Sequence, residues 1–302
     1  MRPYQTIEDY WRIRAFLRDV YLRNGRRALS WPLYRFDYWR WHGLENLHPG
    51  EPPIFLWENE GQIVAVLNAE EPGEGFMHVD PDLRSPTLES EMLAIAEDNL
   101  AIAPELGVRA LIVWADAGDA LRHESLELRG YARADSRRES QRVRSLALPI
   151  PGIPIPVGYT LRALGDSDEL PARSLASWRA FHPDRPESEH VWDGWYTNVQ
   201  RAPLYRRDLD LVAVAADGEL AAFCTAWFDD VTRTGAFEPV GTVPAHQRRG
   251  LGKALLTEGL RRLRRLGATQ AIVSSFEPAA HALYASVGLA EQTVAEPWQR
   301  RW

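Results

Sequence analysis

Cysteine is nearly absent from this sequence: among 302 residues there is one, Cys224. A single cysteine excludes an intrachain disulfide. Cys224 lies in the apolar run 220–228, and a free cysteine in such a run behaves as a small apolar residue. We therefore expect it to be a buried strand residue.

Long apolar stretches are also missing. Nowhere do 18 apolar residues follow one another without a charge, and residues 1–9 contain no apolar signal core. This pattern argues against a membrane-spanning helix and against a secretory signal. We expect a soluble, cytoplasmic protein with no membrane partner.

Positive charge is in deficit as well. The formal net charge is −7 at pH 7, and the sequence pI is near 5.7. A protein that grips phosphates by bulk electrostatics needs a positive field. We therefore expect no nucleic-acid partner.

A metal-binding pattern is missing too. His182, His190, His246 and His281 have no cysteine partners at the spacing of zinc ligands. The sequence therefore predicts no metal site.

What the chain does contain is enough length for two domains. Four prolines in the segment 148–158 cannot donate to a β-ladder and favour an extended linker. The predicted boundaries are 1–148 for the first domain, 149–157 for the linker and 158–302 for the second domain.

The two halves share a weak internal repeat. Pro81 and Arg84 correspond at the same spacing to Pro244 and Gln247, and each pair precedes a helix-like run. The stretch 126–131 matches 284–289 in the same way. The repeat predicts two related αβ units in tandem.

The stretch 247–253 is the most informative part of the chain. It reads Gln-Arg-Arg-Gly-Leu-Gly-Lys and joins a short apolar strand to an amphipathic helix. Gly250 and Gly252 remove side chains where a ligand could approach the main chain, and first-turn amides of a helix are unpaired. The pattern predicts an anion cradle.

This Gln-x-x-Gly-x-Gly stretch resembles the acetyl-CoA pyrophosphate loop of the GNAT acyltransferases. The resemblance implies an α/β fold of the α+β type: two tandem GNAT folds, each a mixed central sheet flanked by helices. It also implies acetyl-CoA as co-substrate, bound by Gly241, Thr242, Val243, Gln247, Arg248, Arg249, Gly250, Leu251, Gly252, Lys253 and Glu277. The family commonly has asparagine where this chain has Glu277, which puts the usual contact there in doubt.

The strand 236–243 is interrupted by Pro239 and Gly241. Proline lacks the amide, and glycine in a strand marks a bulge or a close backbone approach, so the strand is expected to bend away from its neighbour. In GNAT enzymes the pantetheine arm occupies such a gap. An ordinary edge strand with a bulge is the alternative.

Two residues are candidates for catalysis. Glu238 lies on the interrupted strand, where related enzymes often place a glutamate that deprotonates the amine directly or through water; partial burial would raise its pKa. Tyr284 lies in Ala-x-x-Leu-Tyr-x-x-x-Gly-Leu, which resembles the GNAT stretch whose tyrosine lies near the cofactor sulfur. It is expected to donate a proton or a hydrogen bond to the departing thiolate. An exposed strand carboxylate and a packed core tyrosine are the alternatives.

The first half differs where chemistry would be done. It has Thr87 and Glu89 at the predicted positions of Gly250 and Gly252, and Leu126 at that of Tyr284. A carboxylate at such a turn would repel a pyrophosphate. We expect a degenerate GNAT-like domain without a cofactor site.

The sequence thus predicts an N-acetyltransferase that transfers acetyl to an amine, most simply a small molecule, by direct attack in a ternary complex. The alternatives are a non-catalytic acyl-CoA sensor and an enzyme that acetylates proteins or peptides. A monomer or a homodimer is expected. An aromatic cluster consists of Trp178, Phe181, His182, Trp192, Trp195 and Tyr196. The helical spacing of Trp192, Trp195 and Tyr196 favours core packing over substrate contact for these three.

Overall fold

The computed structural model describes residues 1–44, 52–105, 107–136, 138–192 and 194–302. The helices are α1 (Ile7–Arg23), α2 (Leu33–Tyr38), α3 (Pro86–Asn99), α4 (Ala120–Leu128), α5 (Leu170–Phe181), α6 (Trp195–Val199), α7 (Leu251–Leu266) and α8 (Pro278–Ser286). Short 3-10 turns occur at Ser167–Glu169, Glu187–Glu189, Arg207–Leu209 and Pro244–His246, and a π-helical turn occurs at Trp39–Leu44.

The strands follow in chain order. They are β1 (Arg2–Pro3), β2 (Ile54–Asn59), β3 (Gln62–Asn68), β4 (Glu74–Val79), β5 (Ile102–Glu105), β6 (Val108–Asp116), β7 (Ala132–Arg133), β8 (Glu139–Ser145), β9 (Tyr159–Ala163), β10 (Asp210–Ala215), β11 (Leu220–Asp229), β12 (Thr234–Thr242), β13 (Gln270–Ser275) and β14 (Ala290–Arg301). In the described part of the chain, no helix combines the length and the apolar character needed to cross a membrane.

The described residues form two compact units, and neither is continuous in sequence. The first takes its residues from 1–39, 47–141 and 292–302, and the second from 40–46 and 142–291. The sequence prediction used contiguous halves instead. The structure groups most of the last strand with the first unit and the proline-rich segment with the second.

The first unit is a mixed sheet in the order β1-β2-β3-β4-β6-β14. The pairing of β4 with β6 is parallel, and β14 pairs antiparallel with β6 from Ala295 to Arg301. Helix α3 buries Met92, Leu93 and Ala96 against this sheet. This burial confirms that the helix-like run of the first half is a helix packed on a sheet.

The second unit has the sheet order β8-β13-β12-β11-β10-β9. The three pairs β9–β10, β10–β11 and β11–β12 are antiparallel. The pair β12–β13 is parallel. Cys224 is fully buried in β11, as predicted.

Helix α7 covers one face of the second sheet. It buries one leucine-rich stripe, and each buried leucine stabilises the fold by about 2 kcal/mol; the fully buried members are Leu255, Leu256, Leu260 and Leu263. Arg264 and Arg265 lie exposed on the opposite side. The helix ends at Gly267, whose φ of 91° forms a left-handed C-terminal cap.

The proline-rich segment packs onto the second unit. Ile150 and Ile153 contact its core, and Nη2 of Arg261 in α7 donates to the Pro151 carbonyl at 3.0 Å. These contacts fix the chain that leads into β9.

Candidate active site

Strands β12 and β13 separate within the second unit. Their parallel pairing runs from Thr234 to Ala236 on β12, and none follows in the part of the chain that the structure describes, although β12 continues to Thr242. The main chain after Ala236 therefore faces a gap. This divergence is the one predicted from Pro239 and Gly241.

A bulge on the other side of β12 accompanies the gap. Cys224 pairs with Val240 and Ala226 with Phe237, so Glu238 and Pro239 stand opposite one residue, Thr225. The Glu238–Pro239 peptide bond is cis. Indole Nε1 of Trp227 donates to the Glu238 carbonyl at 2.6 Å, which fixes the backbone that carries the predicted base.

The loop 243–250 leads from β12 into α7. Gly250 precedes the helix in the left-handed conformation with φ 85°, and Arg248 also has a positive φ, of 59°. The six main-chain amides from Arg248 to Lys253 have no hydrogen-bond acceptor within the described ranges. Successive free amides at a helix start form a concave anion-binding nest.

Three of the predicted cofactor residues, Thr242, Gln247 and Gly252, lie close together at this nest. A side chain at Gly252 would stand 3.1 Å from Leu283 of α8 and 3.8 Å from Thr242 Oγ1, so glycine keeps the helix start open. Gln247 Nε2 donates to the Thr242 carbonyl at 3.3 Å. The nest therefore lies beside the end of β12 and close to α8.

Charge at the nest favours an anion. The positive end of the α7 dipole lies there, and the residues around it include Arg248, Arg249 and Lys253. The backbone and the charges together fit a diphosphate. Glu277 lies exposed at the start of α8.

The predicted catalytic residues lie on α8 and β12. Tyr284 of α8 is 6% exposed, and its hydroxyl has no hydrogen-bond partner among the residues described. Burial raises the pKa of Tyr284, and the nearby Cys224 thiol and Glu238 carboxylate raise it further. Glu238 is half-buried on β12. The phenol is thus a proton donor at neutral pH that interacts with the candidate base.

A buried polar cluster on the α5 side of the sheet was not predicted. Asp210 accepts hydrogen bonds from Tyr196 at 2.7 Å, from Tyr205 at 2.9 Å and from Thr225 at 3.1 Å. The Arg173 guanidinium lies 3.7 Å from the centroid of the Phe223 ring. The one available signal was the charge of Asp210 inside an apolar strand.

The predicted aromatic cluster divides between core and surface. Tyr196 is fully buried, which confirms core packing there, whereas Phe181 is 52% and Trp192 38% exposed. The core-packing prediction is wrong for Trp192, because the segment between α5 and α6 leaves it at the surface. Phe181, at the end of α5, packs edge-to-face on Phe223 with ring centroids 5.8 Å apart.

A cleft of about 420 Å³ lies between α5 and the start of the loop 243–250. Trp178 stacks on His182 with ring centroids 4.0 Å apart, and the Arg185 guanidinium lies 4.9 Å from the Trp178 centroid. The cleft is also lined by Glu219, Val243 and Pro244. It offers flat aromatic surfaces and paired charges next to the loop.

The corresponding helix start in the first unit is closed. Residues 80–85 connect β4 to α3, two fewer than in the loop 243–250. Ser85 caps α3 by accepting from the Leu88 amide at 3.3 Å, and Pro86 has no amide. The predicted equivalence of Thr87 with Gly250 is thus shifted by two residues.

Glu89 is fully buried in the first turns of α3. It accepts from Arg84 at 2.6 Å and from Arg122 at 2.9 and 3.0 Å. An internal carboxylate therefore already neutralises the positive groups around this helix start.

Part of the second unit matches a known protein family. Residues 172–289 match the Acetyltransferase (GNAT) family. Over 246 residues the chain is 29% identical to a mycothiol acetyltransferase of Paenarthrobacter aurescens, with 76% of this chain and 70% of the relative covered.

Two solved structures resemble nearly the whole chain. A GCN5-related N-acetyltransferase from Sphaerobacter thermophilus has a TM-score of 0.68 at 18% identity, with 99% of this chain and 94% of that one covered. A tandem GNAT protein from the clavulanic acid biosynthesis pathway has a TM-score of 0.64 at 14% identity, covering 99% and 97%. These likenesses confirm the predicted fold class.

Proposed function

Residues 172–289 belong to the acetyltransferase (GNAT) family, and on that premise we propose that the second unit binds acetyl-CoA and transfers its acetyl group to a small-molecule amine. The chain is an acyltransferase. The observation that carries the cofactor assignment is the run of six unpaired amides from Arg248 to Lys253 beside the gap in the sheet.

The residues at the nest fit the diphosphate of coenzyme A. The amides of 248–253 would hold the phosphates, with Arg248 and Lys253 supplying charge. The β12 backbone that faces the gap would bind the pantetheine arm. Acetyl-CoA supplies the activated acyl thioester.

Glu238 and Tyr284 divide the proton transfers between them. Glu238 accepts the proton that the acceptor ammonium must lose before its nitrogen can attack. Tyr284 stays protonated at neutral pH because its pKa is raised, so it can donate to the departing thiolate.

The acetyl group passes directly to the amine in this proposal. Cys224 is the single cysteine of the chain and is fully buried. Burial and the charge of Asp210 raise the pKa of its thiol, which keeps it protonated and poorly nucleophilic. It is therefore a poor covalent carrier for the acetyl group.

The acceptor is proposed from the relatives. Four curated relatives carry the name mycothiol acetyltransferase. We therefore propose to test mycothiol-type amines first as acceptors, and then simple amines and a peptide. The half-exposed aromatic surfaces of the cleft suit a small molecule.

We propose that the first unit has no cofactor site. Its helix start is capped by Ser85, and its positive groups are already paired with Glu89. The expected stoichiometry is one coenzyme A per chain.

The test is release of coenzyme A thiol from acetyl-CoA in the presence of each acceptor, with mass detection of the acetylated product. Tyr284→Phe is expected to lower kcat about 10- to 100-fold with little change in coenzyme A affinity. Binding of acetyl-CoA without transfer to any acceptor, unchanged by Tyr284→Phe, would support a sensor instead.

A further inference from the structure

Arg249 is the loop residue whose guanidinium is already engaged by the protein. Its Nη1 donates to the Tyr159 hydroxyl at 2.9 Å, and its Nη2 donates to the Ala245 carbonyl at 3.0 Å. Both acceptors belong to the second unit. The sequence predicted Arg249 as a cofactor ligand, but these bonds hold it against the loop and the start of β9.

From Tyr159 the bonds return to the loop at the buried His246 and continue from there to Glu219. The Tyr159 hydroxyl lies 2.9 Å from Nδ1 of His246, and Nε2 of His246 lies 3.1 Å from the Glu219 carboxylate. Nη1 of Arg179 in α5 donates to the other oxygen of Glu219 at 2.7 Å. A chain of four hydrogen bonds thus links the loop 243–250 to α5.

The chemistry of the donors fixes the direction of this chain. Arg249 can only donate, so the Tyr159 oxygen accepts there and its single proton is available for His246. In the neutral imidazole, Nδ1 then accepts and Nε2 carries the proton that Glu219 accepts. The four hydrogen bonds are therefore compatible with a single arrangement of protons.

This arrangement fixes the loop from both ends. His246 also closes the short turn in which its amide donates to the Val243 carbonyl at 2.9 Å, and the Val243 amide donates to Ala221 of β11 at 2.9 Å. Arg249 lies within the run of free amides from Arg248 to Lys253. A site that is held in its binding geometry before the ligand arrives loses less entropy on binding.

We propose that Tyr159, His246 and Glu219 are positioning residues for the coenzyme A loop, and that Arg249 acts by bracing the loop through Tyr159 and not by contacting the diphosphate. The inference rests on the proposed function, because it assumes that the loop binds coenzyme A. The inference gives a role in cofactor binding to Tyr159, His246 and Glu219, which lie outside the glycine motif. It also changes the role of Arg249, which lies within the motif.

A double-mutant cycle on coenzyme A affinity tests this directly. Calorimetry would compare the wild type, Tyr159→Phe, Arg249→Met and the double variant. Each single change is expected to weaken coenzyme A binding about tenfold, and the double change is expected to weaken it no more than about tenfold, because both remove the same brace. A direct phosphate contact by Arg249 predicts additive losses of about a hundredfold, which would overturn the proposal.

Substitutions at His246 provide a second, independent test of the proposal. Glutamine can accept with its oxygen and donate with its amide, so His246→Gln is expected to keep affinity within about threefold, whereas His246→Leu loses about tenfold or more. At saturating acetyl-CoA, kcat should stay within about twofold for all these variants, because a positioning role acts on binding. Equal affinity for the glutamine and leucine variants would contradict the role of His246.

Controls separate this inference from the proposed function. Arg265→Gln, on the exposed last turn of α7, should leave affinity unchanged, and thermal unfolding checks that every variant is folded. If the wild type and Tyr159→Phe bind coenzyme A equally well, the bracing role is refuted and the proposed function still stands. If the wild type binds no coenzyme A, both the bracing role and the proposed function are refuted.

Discussion

The ring of Phe223 occupies the space that a side chain at Gly241 would need. The two residues are direct partners across the β11–β12 ladder, and Phe223 is fully buried with Arg173 stacked on its other side. The glycine that the sequence assigned to the cofactor gap is thus also required by packing on the α5 side of the sheet. Because Gly241 has no side chain, Phe223 can pack directly against β12, and Phe223 in turn contacts Arg173 of the buried polar cluster.

Gly241→Ala is therefore expected to destabilise the protein by about 1–3 kcal/mol, because a buried ring must move. Urea unfolding measures the change. Gly152→Ala is the matched control, since a side chain there would meet no atom within 4 Å, and its effect should stay within about 0.5 kcal/mol. Equal stability of the two variants would contradict the packing argument.

Glu74 gives a pH-dependent prediction in the first unit. Burial, together with the neighbouring charge of Glu70, raises the pKa of Glu74 to about 7. The folded state therefore holds a proton that the unfolded chain releases near pH 4.5, and stability falls as the pH rises from about 4.5 to 7.

Glu74→Gln should remove that loss. We expect the variant to be more stable than the wild type by about 2 kcal/mol at pH 8 and nearly equal to it at pH 4. Thermal unfolding at the two pH values measures this, with the exposed Glu127→Gln as the control. A stability difference that is the same at both pH values would show that Glu74 does not titrate in this window.

Glu89 should be important for stability but not for cofactor binding. Glu89→Ala leaves Arg122 buried without its carboxylate, which typically costs about 3–5 kcal/mol. The exposed Glu127→Ala in α4 should change stability by less than about 0.5 kcal/mol. Coenzyme A should still bind at one site per chain in both variants, and loss of binding in a folded Glu89→Ala protein would implicate the first unit in the cofactor site.

Local sequence signals predicted much of the site. The glycines at 250 and 252 predicted the helix start and its free amides, and Pro239 with Gly241 predicted the divergence of β12 from β13. The amphipathic pattern after Gly252 predicted that α7 is a helix with one buried face. Each of these signals acts through backbone geometry or periodicity within a few residues.

The features that the sequence did not predict depend on contacts between distant residues. Tyr159 and His246 are 87 positions apart, and His246 and Glu219 are 27 apart. The grouping of the last strand with the first unit is likewise a pairing of β14 with β6, which no local pattern encodes. Arg249 shows the consequence: its motif position indicated a ligand, and its partners indicate a brace.

Calorimetric titration of coenzyme A into the wild type, Gly250→Glu and Gly250→Gln tests the central claim most directly. Glutamate and glutamine have nearly the same size, and both are strained at the left-handed conformation of residue 250. The two variants therefore differ mainly in charge. We predict one site per wild-type chain, weakened but measurable binding to Gly250→Gln and no measurable binding to a folded Gly250→Glu. Wild-type affinity in Gly250→Glu would contradict a diphosphate site at the amides of residues 248–253.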